Sequence, residues 1–147
     1  MKLNLGCGED ILPDYINVDS NDSCGANIIA DLAIIPWNFE SNSAEVIRMI
    51  DVLEHLPDTV SVLNECHRIL IPNGELVIRV PNVLTCPENA FTDPTHVKYF
   101  THRSFEYWDP TSDYGIKYGY YLKNKYYIVR KDIDININIT LKKLETV

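Results

Sequence analysis

Apolar and polar residues along the chain fall into short blocks with strand and helix periods. Lys2 to Leu5 alternates and runs into Gly6-Cys7-Gly8, which predicts a short strand closed by a tight turn. Ile16-Asn17-Val18-Asp19 predicts a second strand, ended by the polar run Ser20-Asn21-Asp22-Ser23, and Asn27 to Leu32 a third. Ala44 to Ile50 predicts a fourth, apolar on both faces as buried parallel strands are. Thr59 to Leu70 sets Val60, Leu63, Cys66, His67 and Leu70 on one helical stripe. Pro72-Asn73-Gly74 predicts a turn, and Glu75 to Val80 a fifth strand stopped by Pro81. Asn82 to Tyr121 holds no sustained period, although Thr101 is placed to cap a short helix over Arg103 to Trp108. Tyr126 to Asp134 and Ile135 to Leu144 predict two closing strands. Ile133, Ile135, Ile137 and Ile139 alternate there with Asp134, Asn136 and Asn138, the pattern of a strand with one wet face.

Strands separated by connectors and a helix predict an α/β fold with a mostly parallel sheet. At 147 residues, with no repeat and no linker, the chain is expected to form a single domain over 1–147. A long irregular segment, 82–121, is expected to act as a lid or acceptor-binding loop.

A hydrophobic share of 46% supports a packed core, and no apolar stretch is long enough to cross a bilayer. The start Met1-Lys2-Leu3-Asn4 lacks the apolar run of a secretory signal, so cytoplasmic residence is expected. A net charge of -8 argues against a nucleic-acid partner and suits a neutral or cationic small ligand better. Cys7, Cys24, Cys66 and Cys86 form no CxxC pair and are expected to be reduced thiols, with Cys66 in the core. No pair of histidines and aspartates has a recognised metal spacing, so no metal is expected.

Gly6-Cys7-Gly8 follows a strand directly, where glycine allows a sharp turn and close approach of a ligand to the main chain. A dinucleotide fingerprint needs a third glycine and a helix N-terminus for the pyrophosphate. Ile11 stands at the third position and Pro13 soon follows. A ligand without phosphate needs no such cradle. Asp19, Asp31 and Asp51 each stand at the end of a predicted strand, the edge where open α/β sheets bind ligands. A carboxylate there can accept from both ribose hydroxyls, as Asp19 would, or meet an adenine amino group, as Asp31 beside Leu32 would.

LNLGCGEDILPDYINVD resembles motif I and the second-strand acidic residue of class I S-adenosylmethionine-dependent methyltransferases. ADLAIIPWNFESNSAEVIRMIDVLEHLPD is similar to the third and fourth strands of the methyltransferase-11-like group, and LNECHRILIPNGELVIRVPN to its next helix, turn and strand. AFTDPTHVKYFTHRSFEYWDP resembles an insertion of small members of that group. The resemblance implies a Rossmann-like, seven-stranded sheet with a reversed last strand and helices on both faces, and S-adenosylmethionine as methyl donor. It implies Gly6 and Gly8, with Cys7 between them, at the methionine part. Asp19 and the adjoining Ser20 fall at the ribose, Asp31 and Leu32 at the adenine, and Asp51 near the methionine end or the methyl group. The chain departs from the pattern at Asn4, Asp51 and Asn73, and the helix after motif I is almost missing.

Methyl transfer mainly requires donor and acceptor to be held in line, with a base where the acceptor must lose a proton. His55 and His96 are the candidate bases, with Asp93 placed to orient His96; His67 and His102 are expected to be structural. Tyr99, Phe100, Phe105, Tyr107 and Trp108 serve either as walls of an acceptor pocket or as ordinary core. The leading expectation is an enzyme methylating a small molecule, sugar or glycan. Two others stay open: a protein or nucleic-acid methyltransferase, and a non-catalytic S-adenosylmethionine-binding sensor or assembly protein.

Overall fold

The computed structural model describes residues 1–145. Strand register sorts alternate side chains into two rows of opposite character. Leu3 lies opposite Ile47, Ile47 opposite Leu76 and Leu76 opposite Leu141, and all four are fully buried. One residue along, Asn4, Arg48, Val77 and Thr140 form the matching row on the other face, and Arg48 and Thr140 are only half-buried. Because the side-chain period of a strand is two, this register sends one apolar set to a single core.

The strands are β1 (Lys2–Leu5), β2 (Ile16–Asp19), β3 (Ile28–Ile29), β4 (Ala44–Ile50), β5 (Leu70–Pro81), β6 (Tyr126–Ile133) and β7 (Asn136–Lys143). They form one sheet in the order β3-β2-β1-β4-β5-β7-β6. β1 to β5 run parallel, and β7 is antiparallel to both neighbours, which makes it the reversed strand that the resemblance implies. The antiparallel pair expected near the C-terminus is present, with its turn at Asp134 and Ile135.

Helix α1 (Thr59–Ile69) links β4 to β5 and is capped by the Asp58 carboxylate, which accepts from the Ser61 N–H at 3.0 Å. Its Val62, Leu63, Cys66 and Ile69 join the sheet's apolar row in the core. Val60, expected on that stripe, is instead exposed, because the buried face is turned toward Val62 and Ile69. β4 is also less apolar than expected: Glu45 is exposed, and Arg48 forms an ion pair with Asp10. β3 is shorter than the predicted third strand, and β5 begins five residues earlier than its turn signal suggested. The Pro72-Asn73-Gly74 turn is instead part of β5, at its register shift against β4, where Asn73 adopts φ +63, a conformation asparagine tolerates in place of glycine.

The connections β1–β2, β2–β3 and β3–β4 contain no helix. A network of amides holds the first of them in its place. Buried Asn4 donates to the Asp10 carbonyl (2.8 Å) and to Asn17 Oδ1 (2.9 Å). Asn17 donates to the Leu12 carbonyl and accepts from the Leu12 N–H, both at 3.0 Å, while its own N–H donates to Asn27 Oδ1. Asn4, a departure at the level of motif, is thus the anchor of the 7–15 loop. Half of the segment expected to be irregular is short helices, α2 (Pro87–Thr92), α3 (Asp113–Tyr118) and 3-10 turns at Ser104–Trp108 and Gly119–Tyr121, and the rest is irregular. At the Ser104–Trp108 turn, Thr101 Oγ1 accepts from the Arg103 N–H at 3.3 Å.

Candidate active site

The carboxyl ends of β1, β2 and β4 converge on a cleft of about 210 Å³ bounded by Gly6, Asp19, Ser20, Asp51, Val52 and His55. It adjoins an apolar hollow of about 260 Å³ under Ile28, Ile34, Trp37 and Phe39; Ala30, Asp31 and Leu32 line both. Leu32 is buried, and its carbonyl accepts from Trp37 Nε1 at 3.1 Å, which sets the floor between the two spaces.

Gly6 takes φ +67, and a Cβ there would stand 2.3 Å from Val52 Cγ2, so the turn closes only with glycine. The Gly6 and Cys7 amides both donate to the Val18 carbonyl, at 2.7 and 3.0 Å. Gly8 also has positive φ, but a Cβ there would meet nothing within 4 Å. Asp19 bridges the turn to the next loop: Oδ2 accepts from the Gly8 N–H at 2.8 Å and Oδ1 from the Asn21 N–H at 2.9 Å. Asp31 is exposed and accepts from the Ala33 N–H at 2.9 Å. Cys7 is buried outside the cleft, and burial, with Asp19 and Cys24 nearby, pushes its thiol up to about 11.

Asp51 ends β4 at φ +57, uncommon for a residue with a side chain. Its carboxylate is held by the Arg79 guanidinium through Nε at 3.0 Å and through Nη2, and its N–H donates to the Arg79 carbonyl. Asp51 therefore lines the cleft as one half of an ion pair with Arg79.

The 3-10 turn Leu53–His55 then presents two neighbouring groups in opposite senses. His55 opens into the cleft, whereas Glu54 is 1% exposed and its Oε2 has no hydrogen-bond partner. Burial, reinforced by the charge of Asp51, pushes the Glu54 carboxyl up to about 7. The Glu54 carbonyl accepts from the Val97 and Lys98 amides, which pins the 93–98 loop beside the cleft. His96 thereby meets His55 edge-on, with ring centroids 4.7 Å apart. His96 Nδ1 lies 2.7 Å from the Ala90 carbonyl, and its Nε2 lies 3.7 Å from Asp93. His55 Nδ1 lies 2.9 Å from Thr95 Oγ1, which donates to Asp93 Oδ1 at 2.6 Å. The Thr95 hydroxyl and amide hold the Asp93 carboxyl below its usual range.

Of the residues marked from sequence, Gly6, Asp19, Ser20, Asp31, Leu32, Asp51 and His55 line one cleft, and His96 and Asp93 adjoin His55. Cys7 and Gly8 back the turn instead of lining the cavity. Phe100, Phe105 and Trp108 belong to the core, not to a pocket wall, while exposed Tyr99 packs against Phe91 with ring centroids 4.6 Å apart and the planes tilted. His67 is structural: it is buried on α1 and bonded to the Leu144 carbonyl at 2.9 Å. Glu54 escaped the sequence reading; its only signal was its place in the Leu-Glu-His-Leu motif.

The site fits S-adenosylmethionine. It offers carboxylates at two strand ends, an apolar slot beside one of them and a backbone turn with open space above Gly8. The seven-stranded sheet with a reversed β7 is a fold that the chain shares with solved S-adenosylmethionine-dependent methyltransferases. In comparison with known proteins, residues 7–78 match the family model of the methyltransferase domain, methyltransferase-11. A probable S-adenosylmethionine-dependent methyltransferase of Mycolicibacterium smegmatis is 30% identical over 116 residues, 65% of this chain and 44% of that protein. The chain thus spans less than half the length of the curated relative it matches. Among solved structures, a methyltransferase from Archaeoglobus fulgidus shares the fold at TM-score 0.64 and 18% identity, covering 97% of this chain and 85% of that one. One from Mesorhizobium loti does so at 0.67 and 12%, covering 97% and 90%. Among the described residues, no helix is long and apolar enough to cross a membrane.

Proposed function

We propose that the chain transfers the methyl group of S-adenosylmethionine to a small-molecule, sugar or glycan acceptor held where His55 and His96 meet the donor cleft. The observation that carries this reading is the His55 ring itself, which lines the donor cleft and contacts His96 of the 93–98 loop. When bound, the donor supplies an electrophilic methyl group on a sulfonium. Asp19 accepts from the ribose hydroxyls, and Asp31 with Leu32 receives the adenine over the apolar hollow. Asp51, paired with Arg79, lines the methionine end without presenting a bare charge. His55 and His96, steadied by Thr95, Asp93 and the Ala90 carbonyl, handle the acceptor's proton. Cytoplasmic residence accords with four free thiols.

The experiment is release of S-adenosylhomocysteine on a panel of hydroxyl-bearing acceptors, with donor affinity measured by calorimetry. His96→Ala should lower turnover by roughly 10²–10⁴-fold and leave donor affinity nearly intact. Equal losses of donor affinity and melting temperature would mean that His96 only ties the loop. Donor binding with no turnover on any acceptor would favour the non-catalytic sensor.

A further inference from the structure

Next to the donor cleft, Glu54, His55 and His96 offer one carboxylate and two imidazoles whose ligand atoms all lie within 4.8 Å of one another. Glu54 is 1% exposed and its Oε2 meets no donor, although buried carboxylates are nearly always paired or bound to a metal. The hydrogen bonds around the two rings also fix their tautomers. The Ala90 carbonyl can only accept, so His96 carries its proton on Nδ1. The Thr95 hydroxyl proton points to Asp93, so Thr95 accepts from His55, which likewise carries its proton on Nδ1. With that proton on Nδ1, Nε2 is the nitrogen each ring has left to offer a ligand.

We propose that Glu54, His55 and His96 form a binding site for a divalent transition-metal ion, with zinc(II) as its first candidate. Two imidazoles and a carboxylate are a ligand set of open zinc sites, whereas magnesium and calcium prefer oxygen alone. A tetrahedral ion with bonds of about 2.0–2.1 Å sets its ligand atoms about 3.4 Å apart, so the three side chains must draw together from a spread of up to 4.8 Å to hold it. Metal-bound histidines usually donate their second N–H to a carbonyl or to a carboxylate relay, as His96 and His55 do here. His55 also lines the donor cleft, so the ion sits at its rim. An Nε2 that ligates an ion is no longer a free base, so the proton-handling role proposed above for these rings applies to the metal-free protein. The site stands on this cluster alone and not on the acceptor proposed above. A second group, Cys7, Asp19 and Cys24, also comes together, but both Asp19 oxygens already accept backbone amides.

The test is calorimetric titration of the chelator-stripped protein with zinc chloride in a Cys24→Ser background, which removes the second group. One equivalent with micromolar or tighter affinity is expected. Glu54→Gln and His96→Gln should each weaken it at least tenfold, and Thr95→Val by about 10–100-fold. Cobalt(II) added in place of zinc should give the visible absorption of a tetrahedral site in the parent and not in His96→Gln. Donor affinity, measured on the same samples without metal, separates failure of this site from failure of the methyltransferase reading. Zinc binding no tighter than millimolar, or one equivalent indifferent to both His96→Gln and Thr95→Val, would overturn the proposal.

Discussion

Gly6→Ala isolates the close approach that shapes the donor turn. Two costs add at this position. The backbone holds φ +67, and an L-residue there costs about 1–2 kcal/mol. The new Cβ would stand 2.3 Å from Val52 Cγ2 and 2.9 Å from Cγ1, well inside the normal contact of about 3.5–4.0 Å. Val52 is 8% exposed and sits in the core cluster, so it cannot simply swing into solvent. Overpacking of this kind costs about 1–3 kcal/mol, which brings the total to about 2–5 kcal/mol. Gly8→Ala is the internal control, because its Cβ meets nothing within 4 Å and only the backbone cost remains. Val52→Ala removes both colliding methyl groups. Urea unfolding followed by tryptophan fluorescence gives all the stabilities; with an m-value of about 2 kcal/mol/M, the Gly6→Ala midpoint should fall by about 1–2.5 M. In the cycle with Val52→Ala, the double variant should be about 1–3 kcal/mol more stable than the sum of the single changes implies. Additivity within about 0.5 kcal/mol, or a Gly6→Ala cost no greater than that of Gly8→Ala, would refute the steric argument.

Asp19→Ala should weaken S-adenosylmethionine at least tenfold, since charge-assisted hydrogen bonds contribute roughly 1.5–3 kcal/mol each; unchanged affinity by calorimetry would remove Asp19 from the donor site. Burial lowers His67 below its ordinary 6.5, so the folded chain favours the neutral ring and the unfolded chain takes up the proton first. The stability that His67 contributes is present above about pH 6.5 and is lost as pH falls through its lower folded value; His67→Phe should flatten denaturation midpoints measured across that window.

Much of the fold was legible because periodicity is a local signal. Ala44 to Ile50 has the same bounds in sequence and structure, and the closing pair differs only at its ends. The glycine turn and the acidic strand ends were legible for the same reason: each sits where a short apolar run stops. The seven strands and the reversed last strand follow from the family resemblance, and the strand order is seen only in the structure. Errors arose where a longer-range contact overruled local pattern, as at Val60, where packing of α1 against the sheet chose a different stripe.

By itself, then, the sequence determined the strands, the glycine turn and the carboxylates that meet at one edge, because alternation and turn chemistry are carried by adjacent residues. Tertiary structure alone decided what those groups meet. It tied Asp51 to Arg79 and turned Asn4 into the anchor of a loop. It buried Glu54 beside His55 and brought His96 to them across α1 and β5. Such contacts depend on strand register and crossover path. A carboxylate inside an apolar turn leaves no local mark of whether it will face water, an arginine or two imidazoles.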